Sequence, residues 1–407
     1  MQQLEVLAPA GDRERLEAAV LFGADAVYLA GRAFGMRSAP ANFDEDGLRE
    51  AVAFAHAAGR RVYVTCNTLP RNEEMAQLPA FLQSVQDSGA DAVIAADLGV
   101  MQLCRQYAPR CALHVSTQMG VVNYETARAL YEMGAARVVL ARELSLEEIA
   151  EIRAKTPPAL ELEAFVHGAM CMSVSGRCLL SNYLTGRDGN RGDCSQPCRW
   201  GYQVMEPRRP GQPLTVEEDE GLTYLFNAND LCMINHLPDL AAAGITSLKI
   251  EGRAKAAYYT AVVTNAYRRA VDEFAASGYA PDFRPSAWIA DEVNKVSHRP
   301  YGTGFYYGPP AQNTKAGGYI RAYEIAAVVE GWRDGRLLVS QRNRFCTGDV
   351  CSVLEPGGVP FELTVPVMQD EEGQPIDAAP HATMRVSFPF PRPLRPGSLL
   401  RRRIPAD

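Results

Sequence analysis

Short continuous apolar runs alternate with amphipathic stretches through the first 165 residues of the chain. The runs fall at 4–9 (LEVLAP), 25–30 (DAVYLA), 61–66 (RVYVTC), 91–96 (DAVIAA), 112–117 (ALHVST), 137–142 (RVVLAR) and 160–166 (LELEAFV). Their lack of polar alternation predicts strands of a parallel sheet covered on both faces. The stretches between them carry helical spacing with recognisable ends: Asp12 is placed to cap RERLEAAVLF, and Gly23 to close it. One phrase recurs as GADAVYLA, GADAVIAA and GAARVVLA, a β/α unit used repeatedly. After residue 230, DLCMINHLPDLAAAG (230–244) reads as a helix, SLKIEG (247–252) as an eighth strand and 255–274 as a last helix.

Eight strands alternating with helices over about 275 residues predict an α/β fold of the TIM type, a (β/α)8 barrel. An open doubly wound sheet is the alternative, and no Gly-x-Gly-x-x-Gly opens the first helix to favour it. From about 275 the pattern changes. Pro, Gly and aromatic residues dominate to 318, and beyond that short runs separated by turn residues predict a small antiparallel β-barrel. The expected organisation is therefore a barrel domain at 1–277 with a cysteine-rich insertion at about 168–232, a linker or docking segment at 278–318, and a small C-terminal β-barrel domain at 319–407.

A barrel puts chemistry at the C-terminal ends of its strands. Those ends carry Asn67, Asp97, Ser116, Thr117, Gln118, Arg142, Glu143, His167, Glu251 and Arg253. The cysteine-rich loop leaves strand seven at the same end, so loop and pocket are expected to face each other. Its thiols run Cys171-x6-Cys178-x15-Cys194-x3-Cys198, followed by Cys232. No Cys-x-x-Cys pair marks a zinc knuckle, and iron–sulfur clusters accept more scattered thiolates. On spacing alone zinc and an iron–sulfur cluster both stay open, and magnesium or calcium does not suit so soft a donor set. A nucleophilic cysteine beside His167 is a further alternative that leaves the clustering unexplained. Cys346 and Cys351 read as packing thiols.

Composition changes this picture little. At 47% apolar and 22% charged, the 407-residue chain is that of a globular protein, with no run of apolar residues long enough for a membrane span. The N-terminus lacks the pattern of a secretory signal, so a cytoplasmic location with reduced thiols is expected. The net charge of −7 argues weakly against a globally basic nucleic-acid binder, although RPLRPGSLLRRR concentrates positive charge near the C-terminus.

Several motifs together resemble the peptidase U32 family: the opening LEVLAPAGDRERLEAAVLFGADAVYLAG, then Glu163-Ala-Phe165-Val-His167-Gly168-Ala169-Met170-Cys171, Ser175-Gly176-Arg177-Cys178, Asn190-Arg-Gly192-Asp-Cys194-Ser-Gln196-Pro-Cys198-Arg199, Ser247-Leu-Lys249-Ile-Glu251-Gly252-Arg253, and Asn294 to Phe305. The resemblance covers nearly the whole chain. It implies either a collagenase-like peptidase or, as in other members, oxygen-independent hydroxylation of a wobble uridine in tRNA, a cytidine in ribosomal RNA or a quinone precursor. The layout is most similar to the tRNA-hydroxylating members. By the same resemblance, a [4Fe–4S] cluster would sit on Cys171, Cys178, Cys194 and Cys232, with Cys198 as the alternate ligand, and prephenate would be the hydroxyl source.

No His-Glu-x-x-His, Gly-x-Ser-x-Gly or evident Ser/His/Asp order supports proteolysis. On the hydroxylase reading, Arg142, Lys249 and Arg253 would clamp the carboxylates of the small co-substrate, and Glu251 or His167 would move protons. The C-terminal domain and Arg401-Arg402-Arg403 would hold tRNA phosphates. A non-enzymatic RNA-binding factor with a structural metal is the third reading.

Overall fold

The computed structural model describes residues 4–35, 42–171, 178–200, 204–205, 213–214, 228–310 and 319–404. Ser175-Gly176-Arg177 of the cysteine loop and 311–318 of the expected linker lie outside these. Seven strands lead the chain: β1 (Glu5–Pro9), β2 (Ala26–Ala30), β3 (Arg61–Cys66), β4 (Ala92–Ala95), β5 (Ala112–Val115), β6 (Ala135–Val139) and β7 (Glu161–Gly168). A short strand, β8 (Asp230–Cys232), precedes β9 (Ser247–Ile250). β1 to β7 pair in sequence, all parallel, and β9 closes the ring by pairing with both β7 and β1. This is the expected eight-stranded TIM-type barrel.

Helix ends follow local chemistry. The carboxylate of Asp12 accepts from Arg15 N, that of Asp97 from Val100 N, and Ser145 with Glu148 forms a capping box, each satisfying amides the first helical turn leaves open. The recurring Gly-Ala phrase has its reason at the other end: Gly23 and Gly134, at φ 99° and 97°, take the left-handed turn that stops one helix and starts the next strand. Helix-facing strand residues such as Val6, Ala8, Leu162 and Ala164 are buried in one continuous apolar core.

The other strand face is not apolar throughout. Glu5, Arg137, Glu163, Ser247 and Lys249 are all buried and bonded to one another inside the barrel, at the level of Tyr63. The runs read as uniformly apolar thus hide an alternation, with single charged residues at inward positions.

One further expectation needs correction. Cys232 lies on a strand and not in a helix: β8 pairs antiparallel with the end of β7, and the helix starts only at Leu237. In the segment expected as a linker or docking segment, Ile289, Val293, Val296 and Tyr306 are buried in the barrel core, and Tyr301–Gly302 pairs with β8.

The C-terminal residues form an eight-stranded antiparallel sheet that curls into a half-barrel with its own core, including Val339, Phe345, Cys351 and Phe388. Its last strand is Leu399–Arg403, so the basic stretch is no solvated tail. Arg401 is wholly buried and bonds Glu292 of the barrel side at 2.6 Å, while Arg402 bonds Glu324 and Asp349. Leu354 and Leu399 add apolar contact to the barrel core. Among the described residues no helix is long and apolar enough to cross a membrane.

Candidate functional site

A cavity of about 170 Å³ opens at the C-terminal ends of the barrel strands. Tyr28, Thr65, Ile94, Phe165 and Lys249, from five strands, form its floor. Asn67, Ser116, Thr117 and Gln118 give it a polar wall, and Arg142, Glu251 and Arg253 complete the rim. The cysteine loop covers it with Cys171, Cys178, Cys194 and Cys198. Loop and pocket therefore face each other. Asp97 instead caps the helix after β4, with Val100 N at 3.1 Å.

The cations are held, not loose. Arg142 lies past the end of β6; its guanidinium stacks over the Phe165 ring at 4.8 Å, donates to the Ala169 carbonyl at 2.9 Å and reaches the Cys171 sulfur at 3.7 Å. Arg253 is buried and donates to Thr65 Oγ1 at 2.8 Å. Lys249 Nζ is 2.7 Å from Glu163 and 4.6 Å above the Tyr28 ring. A pocket floored by aromatic rings and edged by fixed guanidinium groups suits a small, flat, anionic ligand.

The loop is pinned to the barrel. The Arg191 fork bonds both oxygens of Glu74 at 2.7 and 2.9 Å, and this hydrogen bonding holds the Glu74 carboxyl down at about 2. Ser181 Oγ donates to the Arg187 carbonyl at 2.7 Å and accepts from Ser195 N at 2.9 Å. Gln196 takes a left-handed backbone, φ 57°, and its amide lies 3.4 Å from the Cys194 sulfur. Among the described residues no three His, Cys, Asp or Glu side chains make a single-ion site.

His167 and Cys232 are not among the cavity's lining residues. β7 carries a bulge opposite Lys249–Ile250: Phe165 pairs with Lys249, and His167 with Ile250. The extra residue turns His167 from the lumen to the helix side, the side of the fully buried Ile250. There His167 packs among Tyr259, Tyr267 and Tyr301, with Tyr301 OH 3.3 Å from Nε2. Burial lowers its pKa to about 3, so it is neutral near pH 7. Cys232 pairs with His167 and shares this face, where burial raises its thiol to about 11. Sequence reasoning thus placed Arg142, Glu251 and Arg253 at the pocket, and the bulge set His167 apart from them. It missed Tyr28, Thr65 and Phe165; the signal for Thr65 and Phe165 was their parity with Arg61 and Glu163 on the same strands, and the apolar strand of Tyr28 carried none.

Residues 11–316 match the Peptidase family U32 and residues 321–401 the Peptidase family U32 C-terminal domain. The chain belongs to peptidase family U32. Its similarity to U32-type relatives runs nearly end to end. It is 36% identical over 403 residues to tRNA hydroxylation protein P1 of Bacillus subtilis, covering 98% of this chain and 94% of that one. It is 34% identical over 434 residues to tRNA hydroxylation protein P of Escherichia coli, covering 96% and 94%. The 23S rRNA 5-hydroxycytidine C2501 synthase of Escherichia coli is 37% identical over 270 residues, which covers 66% of this chain and 39% of the relative.

Proposed function

We propose that the protein is an RNA-modifying enzyme that hydroxylates tRNA, at the 5-position of a wobble uridine, with a [4Fe–4S] cluster on the cysteine loop and prephenate as hydroxyl source. The observation that carries this reading is the meeting of four thiols and three fixed cations around one cavity at the barrel's catalytic end. Near-full-length similarity to proteins named for tRNA hydroxylation supports the substrate class.

The donor set fits a cluster. Four thiols from one loop are soft ligands, and the Gln196 amide and Arg142 guanidinium near two of the sulfurs offset negative charge there. In this proposal the ligands are Cys171, Cys178, Cys194 and a fourth thiol, for which Cys198, lining the cavity, is placed ahead of Cys232, on the far face of β7. When bound, such a cluster supplies electron transfer or an open coordination position. The chain's own residues do the rest: Arg142 and Arg253 orient a carboxylate co-substrate, Glu251 exchanges protons at the rim, and Tyr28 and Phe165 offer flat surfaces for an unstacked base.

Proteolysis by a cysteine nucleophile finds no support here, because His167, the base such a nucleophile at Cys171 requires, faces the other side of β7. The deciding experiment is nucleoside mass spectrometry of tRNA from a deletion strain, complemented with the wild-type chain or with Arg253→Ala. Loss of 5-hydroxyuridine derivatives, restored only by the wild type, is the expected result. Unchanged nucleosides in the deletion strain refute the reading.

A further inference from the structure

TIM-barrel interiors are packed mainly with branched apolar side chains. Here the axis holds two carboxylates, a guanidinium and an amine, although burying each ion costs several kcal/mol before its partners compensate. The bonds between them form a line. Lys249 Nζ, in the cavity floor, is 2.7 Å from Glu163 Oε1. Glu163 Oε2 is 3.2 Å from Ser247 Oγ, which donates to Glu5 Oε1 at 2.8 Å. Glu5 Oε2 accepts from Tyr63 OH at 2.8 Å and from half-exposed Arg61. Tyr63 and Arg61 line a second cavity, of about 230 Å³, at the opposite mouth of the barrel. His114 also lines it, and its buried Nδ1 has no partner among the described residues.

We propose that this line of hydrogen bonds is a proton path joining the front cavity to the rear mouth of the barrel, with Lys249 as its inner terminus. It rests on the reading above, in which RNA covers the front opening and a ring C–H becomes C–OH: the co-substrate would supply the oxygen, the two electrons the carbon gives up would pass to the cluster and on to an external oxidant, and the C–H hydrogen leaves as a proton. The path itself moves only that proton. The Lys249 ammonium releases a proton to Glu163 Oε1, and the amine left behind takes the substrate's proton, forming an N–H bond. The Glu163 carboxyl turns and brings its proton to the Ser247 oxygen as the serine's own proton moves to Glu5 Oε1. The Glu5 carboxyl turns likewise and hands its proton to Tyr63 as the phenol proton leaves to water at the rear. Carboxyls and hydroxyls then turn back, and one proton has crossed.

Arg137 bonds Glu5 at 2.6 Å, Glu163 at 2.9 Å and Ser247 Oγ at 3.1 Å, and also bonds Glu161. A guanidinium stays protonated, so it stabilises the two carboxylates and the serine oxygen without passing a proton on. Ser247 is thus the hydroxyl link between them among the described residues. The groups facing Lys249 are Glu163 and the rings of Tyr28 and Phe165, with Arg137 and Arg253 nearby. Burial lowers the Lys249 pKa, while the Lys249 and Arg137 charges outweigh burial and lower that of Glu163, so the pair rests as ammonium and carboxylate and Glu163 carries the proton only in passing.

The test is Ser247→Ala in the full-length holoenzyme, with Ser247→Thr as the hydroxyl-restoring control and Tyr63→Phe at the rear. Ser247→Ala leaves both carboxylates bonded to Arg137, so the fold persists and Tm stays close to wild type. With tRNA as substrate, kcat is expected to fall about 10²-fold with KM unchanged, the scale of a positioned proton-transfer group. The solvent deuterium isotope effect is expected to rise, the pH–rate profile to shift, and Ser247→Thr to recover most of the rate. Wild-type kcat and isotope effect in Ser247→Ala overturn the path and leave the proposed function standing. A slower variant with lowered Tm and an unchanged isotope effect assigns Ser247 to packing and also overturns it. If wild-type protein forms no hydroxylated nucleoside, the proposed function and the path fall together.

Discussion

Replacing Arg401 with methionine removes one partner of a fully buried ion pair and keeps most of the side-chain volume. Arg401 and Glu292 are both 0% exposed and 2.6 Å apart. Breaking such a pair from one side costs about 3–5 kcal/mol, because the remaining charge stays buried. Glu292 keeps Lys295 at 2.7 Å, which puts the expected loss at the low end, about 3 kcal/mol. The assay is urea unfolding of the full chain, followed by tryptophan fluorescence, to which Trp288 beside the pair and Trp332 in the C-terminal sheet contribute. At an m-value of about 3 kcal/mol/M, the midpoint moves down by about 1 M. Adding Glu292→Leu removes the orphaned charge, and Lys295 still has Asp291 at 3.0 Å, so the double variant recovers most of the loss. An unchanged midpoint in Arg401→Met refutes the buried pair. A flatter salt dependence of tRNA binding, lower by about one unit, shows that Arg401 contacts a phosphate instead of Glu292.

Three other outcomes follow from the site. In anaerobic preparations Cys198→Ser is expected to lose most bound iron and the brown colour while Cys232→Ser keeps both; the reverse pattern returns the fourth ligand to β8. His167 has a folded pKa of about 3 against an ordinary 6.5, so its contribution to stability is complete above pH 6.5 and is lost as pH falls toward 3. His167→Gln removes that dependence, and unfolding free energies measured across this window should fall less steeply with acid than in the wild type. Gly168 has φ 108°, and a Cβ there would sit 2.8 Å from the Glu251 carbonyl oxygen. Gly168→Ala should therefore cost about 2 kcal/mol or more in chemical denaturation and lower activity by displacing Glu251; a neutral result contradicts the close approach of β7 to that loop.

Most of the barrel was legible because its signal is local and repeated. Apolar runs bounded by caps and by left-handed glycines fix each β/α unit, and the observed strands start within about two residues of the expected positions. The site's rim was legible for the same reason: once strand ends are known, Arg142, Glu251 and Arg253 have only one place to go. What failed depends on contacts between distant segments. The bulge that turns His167 outward is a mismatch between β7 and β9, invisible in either strand alone. Cys232 reads as helical because DLCMINHLPDLAAAG is apolar at helical spacing, yet its first residues find partners on β7. Arg401 and Arg402 look like part of a solvated cluster until Glu292, Glu324 and Asp349 are brought beside them by the fold. Glu5, Arg137 and Glu163 were legible in principle, as single charges at alternate positions, but a mean over each run hides them.

The direct pairing of β7 with β9 has a consequence for how the protein matures. The barrel seals itself across the base of the cysteine segment, so the segment hangs from a ring that is already complete without it. The strand ring can therefore close before the cysteine segment is ordered, once the helix and wall residues that follow β9 have packed on it. On the proposed reading, a protein whose thiols stay empty would then be intact and inactive instead of aggregated.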